Sequence, residues 1–183
     1  MTPEGCIDGT LVIELADGWS AGSVTGRLLS ELGARVVKLE PSDGDRLRQI
    51  GPQTTEDSSA AFNILNCNKE SVALDLRSER GRRTLADLTS QADILITDRT
   101  TTEDRAADLD LDVFGTSNSR LIHCHFSPFG RSGPLAEHSG GDFIAQAMGG
   151  VIATTGHPGE LPHKAGPPLA VHNAALMGGA SLL

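Results

Sequence analysis

The chain has 183 residues, of which 38% are hydrophobic and 21% are charged, a composition typical of a domain large enough to bury one core. Its 24 acidic side chains outnumber the 15 basic ones and give a formal charge of -9, which disfavours nucleic acid and anionic membranes as partners. Any anionic ligand therefore needs a local cluster of donors.

The cysteines and the hydropathy pattern indicate the cellular compartment in which we expect the protein. Cys6, Cys67 and Cys124 are too few and too scattered for a disulfide framework, and none forms a Cys-x-x-Cys pair. No uninterrupted apolar run of about 18 residues occurs, and no basic-then-apolar leader opens the sequence. We therefore expect a cytoplasmic protein that does not span a membrane.

The first forty residues predict a strand, a helix and a second strand. Residues 11–15 form a short apolar run, and residues 20–32 carry leucines at helical spacing before Gly33. Residues 35–40 contain β-branched side chains and end before Pro41. This order is the beginning of a βαβ unit.

Strands and helices continue to alternate along the rest of the chain. The further predicted strands are residues 71–76, 92–96 and 120–126. The further predicted helices are residues 78–89, residues 142–148 and a segment that begins near Pro168. Right-handed βαβ units gather their loops at the carboxyl edge of a parallel sheet. We therefore predict an α/β fold, a Rossmann-like and mostly parallel sheet flanked by helices, with the functional site in the segments after the strands.

Two other patterns do not favour a dinucleotide or a metal. Gly18, Gly22 and Gly26 follow the first strand, but their Gly-x-x-x-Gly-x-x-x-Gly spacing differs from the dinucleotide-binding fingerprint. His123 and His125 share one face of a predicted strand, which is compatible with a metal site, yet no third ligand is evident. We expect no metal and interpret the two histidines as buried strand residues.

Four segments of the sequence resemble the family III CoA-transferases, a family that includes formyl-CoA and carnitine CoA-transferases and the related α-methylacyl-CoA racemases. These segments are residues 14–18, 32–41, 66–76 and 141–148. The resemblance runs in order from residue 11 to residue 183. It implies that residues 1–183 form a single N-terminal domain, truncated relative to the family and lacking its second domain.

The resemblance implies CoA-thioester chemistry. The reaction would be CoA transfer between an acyl-CoA and a small carboxylic acid, or racemase-like epimerisation of an acyl-CoA at its α-carbon. Coenzyme A is then a substrate, free or as its thioester, and no metal takes part. Because the family forms interlocked dimers, the resemblance also implies a homodimer or a complementary second half as partner.

The resemblance further implies which side chains contact CoA, whose phosphates need cationic or N–H donors and whose adenine needs an apolar slot. They follow the first, third and fourth predicted strands. These side chains are Trp19, Ser20, Ala21, Leu74, Arg77, Asp98, Arg99 and Arg105. Asp98 and Arg99 stand where the family often has Asn-Phe. Taken from the residues alone, the arginines equally fit ordinary solvated surface positions.

Two carboxylates are candidates for the chemistry. Transferases of the family attack the acyl-CoA with an aspartate in a motif resembling Thr-Gly-x-x-Asp-Gly-x-Pro, and residues 155–162 resemble this motif. Gly159 occupies the place of the aspartate, and Glu160 follows one residue later, where it equally fits a solvated turn. Asp142 resembles an aspartate that the racemases use as a base, but its location equally predicts a side-chain N-cap for the helix at residues 142–148.

The glycine at the nucleophile position leaves a second functional hypothesis open. A relative without a nucleophile could keep the fold and the CoA groove and act as a non-catalytic scaffold or CoA-binding module. The sequence therefore predicts either a CoA-thioester enzyme that uses Asp142 or Glu160, or a binding module of the same fold.

Overall fold

The computed structural model describes residues 5–100, 102, 104 and 116–183. Its centre is a five-stranded sheet in which all neighbouring strands run parallel. The described strands are β1 (Leu11–Leu15), β2 (Arg35–Glu40), β3 (Gln53–Thr55), β4 (Ser58–Ser59), β5 (Lys69–Ala73), β6 (Ile94–Thr97) and β7 (Ile122–His125). The sheet has the spatial order β5-β2-β1-β6-β7, while β3 and β4 form a separate antiparallel pair. The predicted α/β fold with a parallel sheet is confirmed.

Helices cover both faces of the sheet. The described helices are α1 (Ala21–Glu31), α2 (Ala60–Asn66), α3 (Glu79–Gln91), α4 (Asp142–Met148) and α5 (Leu169–Leu182), together with short 3-10 turns at Arg46–Gln49 and Ile152–Thr154. Serine side chains cap the first three helices by accepting backbone N–H groups, with Ser20 at α1, Ser59 at α2 and Ser78 at α3. The helix predicted over residues 78–89 is α3, with Ser78 as its N-cap.

Alternation along the strands divides the core into two layers. Ile13 and Leu95 point to one face of the sheet and pack with Leu85 of α3. Val12 and Ile96 point to the other face and pack with Leu29 of α1. Because both faces are covered, β1 and β6 are apolar at nearly every position, whereas β2 also carries the buried Lys38 and Glu40. Helix α5 packs beside α1, where Thr25 Oγ1 donates to Ala175 O at 3.2 Å.

The structure corrects some boundaries and adds elements. The predicted strand at residues 71–76 is β5, which begins earlier because Lys69 already pairs with Val36 of β2. Helix α2 was not predicted because its seven residues are too few to show helical periodicity, and the β3–β4 pair was not predicted because both strands are short and polar. The predicted helix over residues 142–148 coincides with α4.

The helices also bear on the expected absence of a membrane span. Across residues 5–100 and 116–183, every helix falls short of the length or the apolar character that crossing a bilayer requires.

Candidate functional site

A cleft of about 1520 Å³ lies at the carboxyl ends of the strands of the sheet. The cleft is lined by the loops after β1, β2, β5, β6 and β7, by α4 and by the beginning of α5. Eight of the side chains singled out in the sequence line it, namely Trp19, Ser20, Ala21, Leu74, Arg77, Asp98, Arg99 and Asp142. They come from separate strand ends, as the parallel topology requires. Glu160 is not among the lining residues, and Arg105 lies outside the described residues.

A cluster of buried charged side chains stabilises the loop after β1, which lines the cleft. Lys38 Nζ lies 2.8 Å from Asp45 Oδ2 and donates to Ala16 O at 2.6 Å. Asp45 in turn accepts the N–H of Gly18 with both carboxylate oxygens, each at 3.2 Å. Gly18 has a φ of 73°, a conformation that glycine adopts without strain. These buried hydrogen bonds therefore fix the conformation of the turn that precedes Trp19.

Trp19 supplies a large apolar surface at the cleft. Its side chain remains 39% exposed, and its ring centroid lies 6.1 Å from that of His172 on α5. Leu74 lines the cleft after β5. A flat aromatic ring that is open to solvent in a cleft is suited to stacking on an aromatic or apolar part of a ligand.

Three guanidinium groups line the cleft. Arg77 is 83% exposed and pairs with Asp75 at 3.2 Å, while Arg99 is 23% exposed and pairs with Asp104 at 2.8 Å. The third is Arg46, which is 73% exposed and lies 2.5 Å from a carboxylate oxygen of Asp17. Sequence reasoning missed Arg46, although the polar loop after β2 is a strand-end segment of the kind that it singled out.

Asp98 differs from the other carboxyl groups that line the cleft. Burial raises the pKa of Asp98 to about 7, because the carboxylate loses solvation, and the side chain of Ser20 only partly opposes this shift. Asp98 makes no ion pair with any of the residues that the structure describes. Its proximity to Glu14 raises the pKa further. At neutral pH this carboxyl group is therefore protonated far more often than an ordinary aspartic acid.

The structure corrects the predicted cap at α4. The N-cap residue of α4 is Gly141, which makes no side-chain cap hydrogen bond, and Asp142 is the first residue of the helix. The Asp142 carboxylate instead accepts the N–H groups of Ala170 and Val171, at 2.8 and 3.2 Å, and so caps the neighbouring helix α5. α5 lacks an acidic residue in its own first turn, and Asp142 supplies the missing negative charge from another element.

Two side chains complete the surroundings of the Asp142 carboxylate. Its second oxygen accepts from Gln146 Nε2 at 2.6 Å and from Lys164 Nζ at 3.0 Å. Although burial alone would raise the pKa of Asp142, these donors and the α5 N–H groups lower it. The carboxylate is thus ionised and bound by four donors, an arrangement that favours anchoring over proton transfer.

The segment that resembles the nucleophile motif lies in an exposed turn. Glu160 is exposed, and its backbone N–H donates to His157 O at 3.1 Å. Gly159 has a φ of 87° and no atom outside its neighbours within 4 Å of where a side chain would begin. Neither residue is brought to the cleft.

His123 and His125 are half-buried, which corrects the expectation that they are buried. They lie on β7, at one edge of the sheet, and share one hydroxyl: Thr97 Oγ1 is 2.8 Å from His123 Nε2 and 2.8 Å from His125 Nδ1. No group of three potential metal ligands occurs within the described part of the chain. The contact with Thr97 accounts for one ring nitrogen of each histidine.

Comparison with known proteins gives a consistent family assignment. The sequence model of CoA-transferase family III matches residues 7–183. The chain is 37% identical over 166 residues to an acetyl-CoA:oxalate CoA-transferase of Acetobacter aceti, covering 90% of this chain and 42% of that protein. It is 35% identical over 167 residues to a succinate–glutarate CoA-transferase of Agrobacterium fabrum, covering 87% of this chain and 42% of that protein.

A solved structure agrees with these sequence matches. The crystal structure of a CAIB/BAIF family protein from Brucella suis superposes with a TM-score of 0.91 at 35% identity, over 98% of this chain and 48% of that one. The chain therefore spans slightly less than half the length of the relatives that it matches.

Proposed function

The chain belongs to CoA-transferase family III, and from this premise we propose that its cleft binds the CoA part of an acyl-CoA thioester for CoA transfer to a small carboxylic acid. One observation carries the proposal: side chains that the family resemblance associates with CoA come from three separate strand-end segments and line a single cleft. The chain covers about 42% of its curated relatives, so the activity, substrates and partners of the whole protein belong to this proposal.

The lining of the cleft suits the parts of CoA. Trp19 and Leu74 offer apolar surface for the adenine ring. Arg46 and Arg77 are largely exposed guanidinium groups, and each can keep its carboxylate partner while it donates further N–H groups to phosphate oxygens. In this proposal the same ligand also contacts four further residues that line the cleft, Ser20, Ala21, Asp98 and Arg99. Arg105 is the additional contact that the resemblance implies.

The chemistry would require a carboxylate, and Asp142 is better supported than Glu160, because only Asp142 lines the cleft. Its four donors favour a role in holding the beginning of α5 against the ligand. This saturation makes racemase-like proton abstraction by Asp142 the less supported reaction. It also supports a second candidate function, a non-catalytic domain that binds CoA without transferring it.

Exposed apolar side chains on α4 and α5 support a partner surface. Phe143 and Met148 of α4 are 55% and 64% exposed, and Leu176 and Met177 of α5 are 56% and 71% exposed. An apolar group of this kind is usually covered in the functional protein. We assign it to a second copy of the chain or to a complementary second half. The free thiols of the cysteines support a cytoplasmic location for this assembly.

Titration with CoA tests the proposal directly. Trp19 is the single tryptophan of the chain and lines the cleft, so its fluorescence reports on ligand there. We expect saturable quenching and a matching calorimetric heat. Arg77→Ala should weaken binding about tenfold, because a charged hydrogen bond to phosphate is lost. The matched control is Arg83→Ala, which removes an exposed guanidinium of α3 that does not line the cleft and should leave the affinity unchanged.

The same titration separates the outcomes. A folded chain that gives neither heat nor quenching at millimolar CoA would contradict the proposed binding site. Binding together with conversion of an acyl-CoA and a free acid would support the transferase. Binding without conversion would support the non-catalytic module.

A further inference from the structure

The charge of the cleft opposes the ligand assigned to it. Six carboxyl groups line the cleft, on Asp17, Glu40, Asp43, Asp75, Asp98 and Asp142. Within the part of the chain that the structure describes, three guanidinium groups line it, those of Arg46, Arg77 and Arg99. Among these described groups carboxylates outnumber cations, and an anion such as CoA binds more tightly when that negative charge is reduced.

Most of these carboxylates are neutralised by a cation. Four of them make an ion pair, Asp17 with Arg46, Glu40 with Arg48, Asp75 with Arg77 and Asp142 with Lys164. Asp43 is exposed and is therefore screened by water. Asp98 is half-buried, so water screens its charge less than that of Asp43, and no described cation forms an ion pair with it. It is the carboxyl group whose negative charge would act most directly on a bound anion.

The groups around Asp98 do not supply a free positive charge. On the sheet side it is close to Glu14, Asp17 and Lys38. Lys38 is already bound to Glu14 and Asp45, and the neighbouring Arg99 is bound to Asp104.

Within the described part of the chain, helix α1 and the other elements that line the cleft add no free cation at Asp98. α1 approaches Asp98 through Gly22, where a methyl group would lie 3.4 Å from Asp98 Cβ. Three titratable groups on other described elements already have partners. On β7 His125 contacts Thr97, on α4 Asp142 pairs with Lys164, and on α5 His172 Nδ1 is 2.8 Å from Pro168 O.

We propose that the cleft binds its anionic ligand with Asp98 in the neutral, protonated form, so that binding takes up a proton from solvent onto this carboxyl group. The inference rests on the proposed function, because the anion is CoA. Since the pKa of Asp98 is already raised to about 7, the proton is taken up readily at neutral pH. A neutral Asp98 can also donate its O–H to a ligand oxygen, which an ionised carboxylate cannot do.

Calorimetry of CoA binding in buffers of different ionisation enthalpy counts the protons taken up. At pH 8 the wild-type chain should take up close to one more proton than Asp98→Asn, which keeps the shape of the side chain without its charge. The dissociation constant of the wild type should rise roughly tenfold from pH 6 to pH 8 relative to Asp98→Asn. The 3′-phosphate of CoA titrates near pH 6 by itself, but that contribution is common to both proteins.

Asp43→Asn is the matched control, since it neutralises an exposed carboxylate of the same cleft and should leave the proton count unchanged. Equal proton counts and equal pH dependence in the wild type and Asp98→Asn, with CoA bound by both, would overturn this inference and leave the proposed function standing. Failure of both proteins to bind CoA between pH 6 and pH 8 would overturn the proposed function and this inference with it. If Asp98→Asn does not fold, Asp98→Ser takes its place in the same comparison.

Discussion

Gly26 of α1 lies directly against the carboxylate of Glu14 on β1. A methyl group at Gly26 would overlap with Glu14 Oε2, so only glycine fits between helix and strand. Glu14 is fully buried and binds two cations, Lys38 Nζ at 3.1 Å and Lys69 Nζ at 2.8 Å. The close approach of α1 thus encloses a buried ionic cluster next to the turn that carries the cleft residues.

Gly26→Ala should therefore destabilise the fold strongly. The new methyl group must displace Glu14 or lift α1 from the sheet, and we expect the free energy of unfolding to fall by about 3 kcal/mol. Urea denaturation measures it. Gly179→Ala is the control, because a methyl group in that helix would meet Leu28 at an ordinary 3.8 Å. Equal stability of the two variants would contradict the proximity of Gly26 and Glu14.

Lys38→Met tests the buried ionic cluster by removing one of its two cations. The substitution leaves Glu14 and Asp45 with a single buried cation, Lys69, and we expect a loss of about 3–5 kcal/mol in the free energy of unfolding. Arg35→Met on the same strand removes an exposed ion pair with Glu70 and should leave the stability unchanged. A Lys38→Met variant as stable as Arg35→Met would show that the buried charges do not depend on Lys38.

The sequence predicts most of the sheet, because the signal for a buried parallel strand is local. The apolar runs in β1 and β6 and the glycine after α1 identify these elements without knowledge of their neighbours. The same reasoning does not find α2, whose seven residues gain their stability from packing and from the cap at Ser59. The hydrophobic periodicity of a helix can be recognised only in segments longer than the seven residues of α2.

The sequence does not predict which distant residues the site residues contact. Asp142 has the local signature of a helix N-cap, yet its acceptor oxygens serve a helix that begins 27 residues later, at Leu169. Likewise Gly18, Gly22 and Gly26 resemble part of a nucleotide fingerprint, whereas at Gly26 the structural reason is the buried Glu14. The convergence of strand-end residues was predictable, because parallel topology alone determines it.

Glu40 should make the stability of the chain sensitive to acid. Burial alone would raise the pKa of Glu40, but hydrogen bonds from Arg48, Ser71 and the Asp45 N–H lower it to about 2. Because the folded-state pKa lies below the unfolded value near 4.3, this stabilisation is complete above that value and is lost as the pH falls towards 2. It amounts to up to about 3 kcal/mol.

Thermal or urea unfolding between pH 2 and pH 7 measures this contribution. Glu40→Gln should be less stable than the wild type at pH 7 and should lose less stability on acidification. Glu160→Gln, at an exposed turn, is the control and should follow the wild type at every pH. Parallel pH curves for Glu40→Gln and the wild type would contradict the role of the Arg48 pair.

Asp142→Ala should loosen the beginning of α5. The variant removes the acceptor for the N–H groups of Ala170 and Val171 and the partner of Lys164, and we expect the free energy of unfolding to fall by about 2 kcal/mol. Asp142→Asn retains an acceptor oxygen for these N–H groups but loses the partly exposed ion pair with Lys164, and should lose less stability than Asp142→Ala, about 1 kcal/mol. Glu160→Ala is expected to be neutral.

Activity measurements on the same variants separate anchoring from catalysis. If Asp142 only anchors α5, the Asp142→Asn chain retains CoA binding and any turnover, because the walls of the cleft stay in place. A loss of turnover at unchanged melting temperature and unchanged CoA affinity would instead assign the carboxylate to the chemistry, since anchoring through an acceptor oxygen survives in the amide. That result would favour the enzyme over the binding module, and Asp142 over Glu160 as its carboxylate.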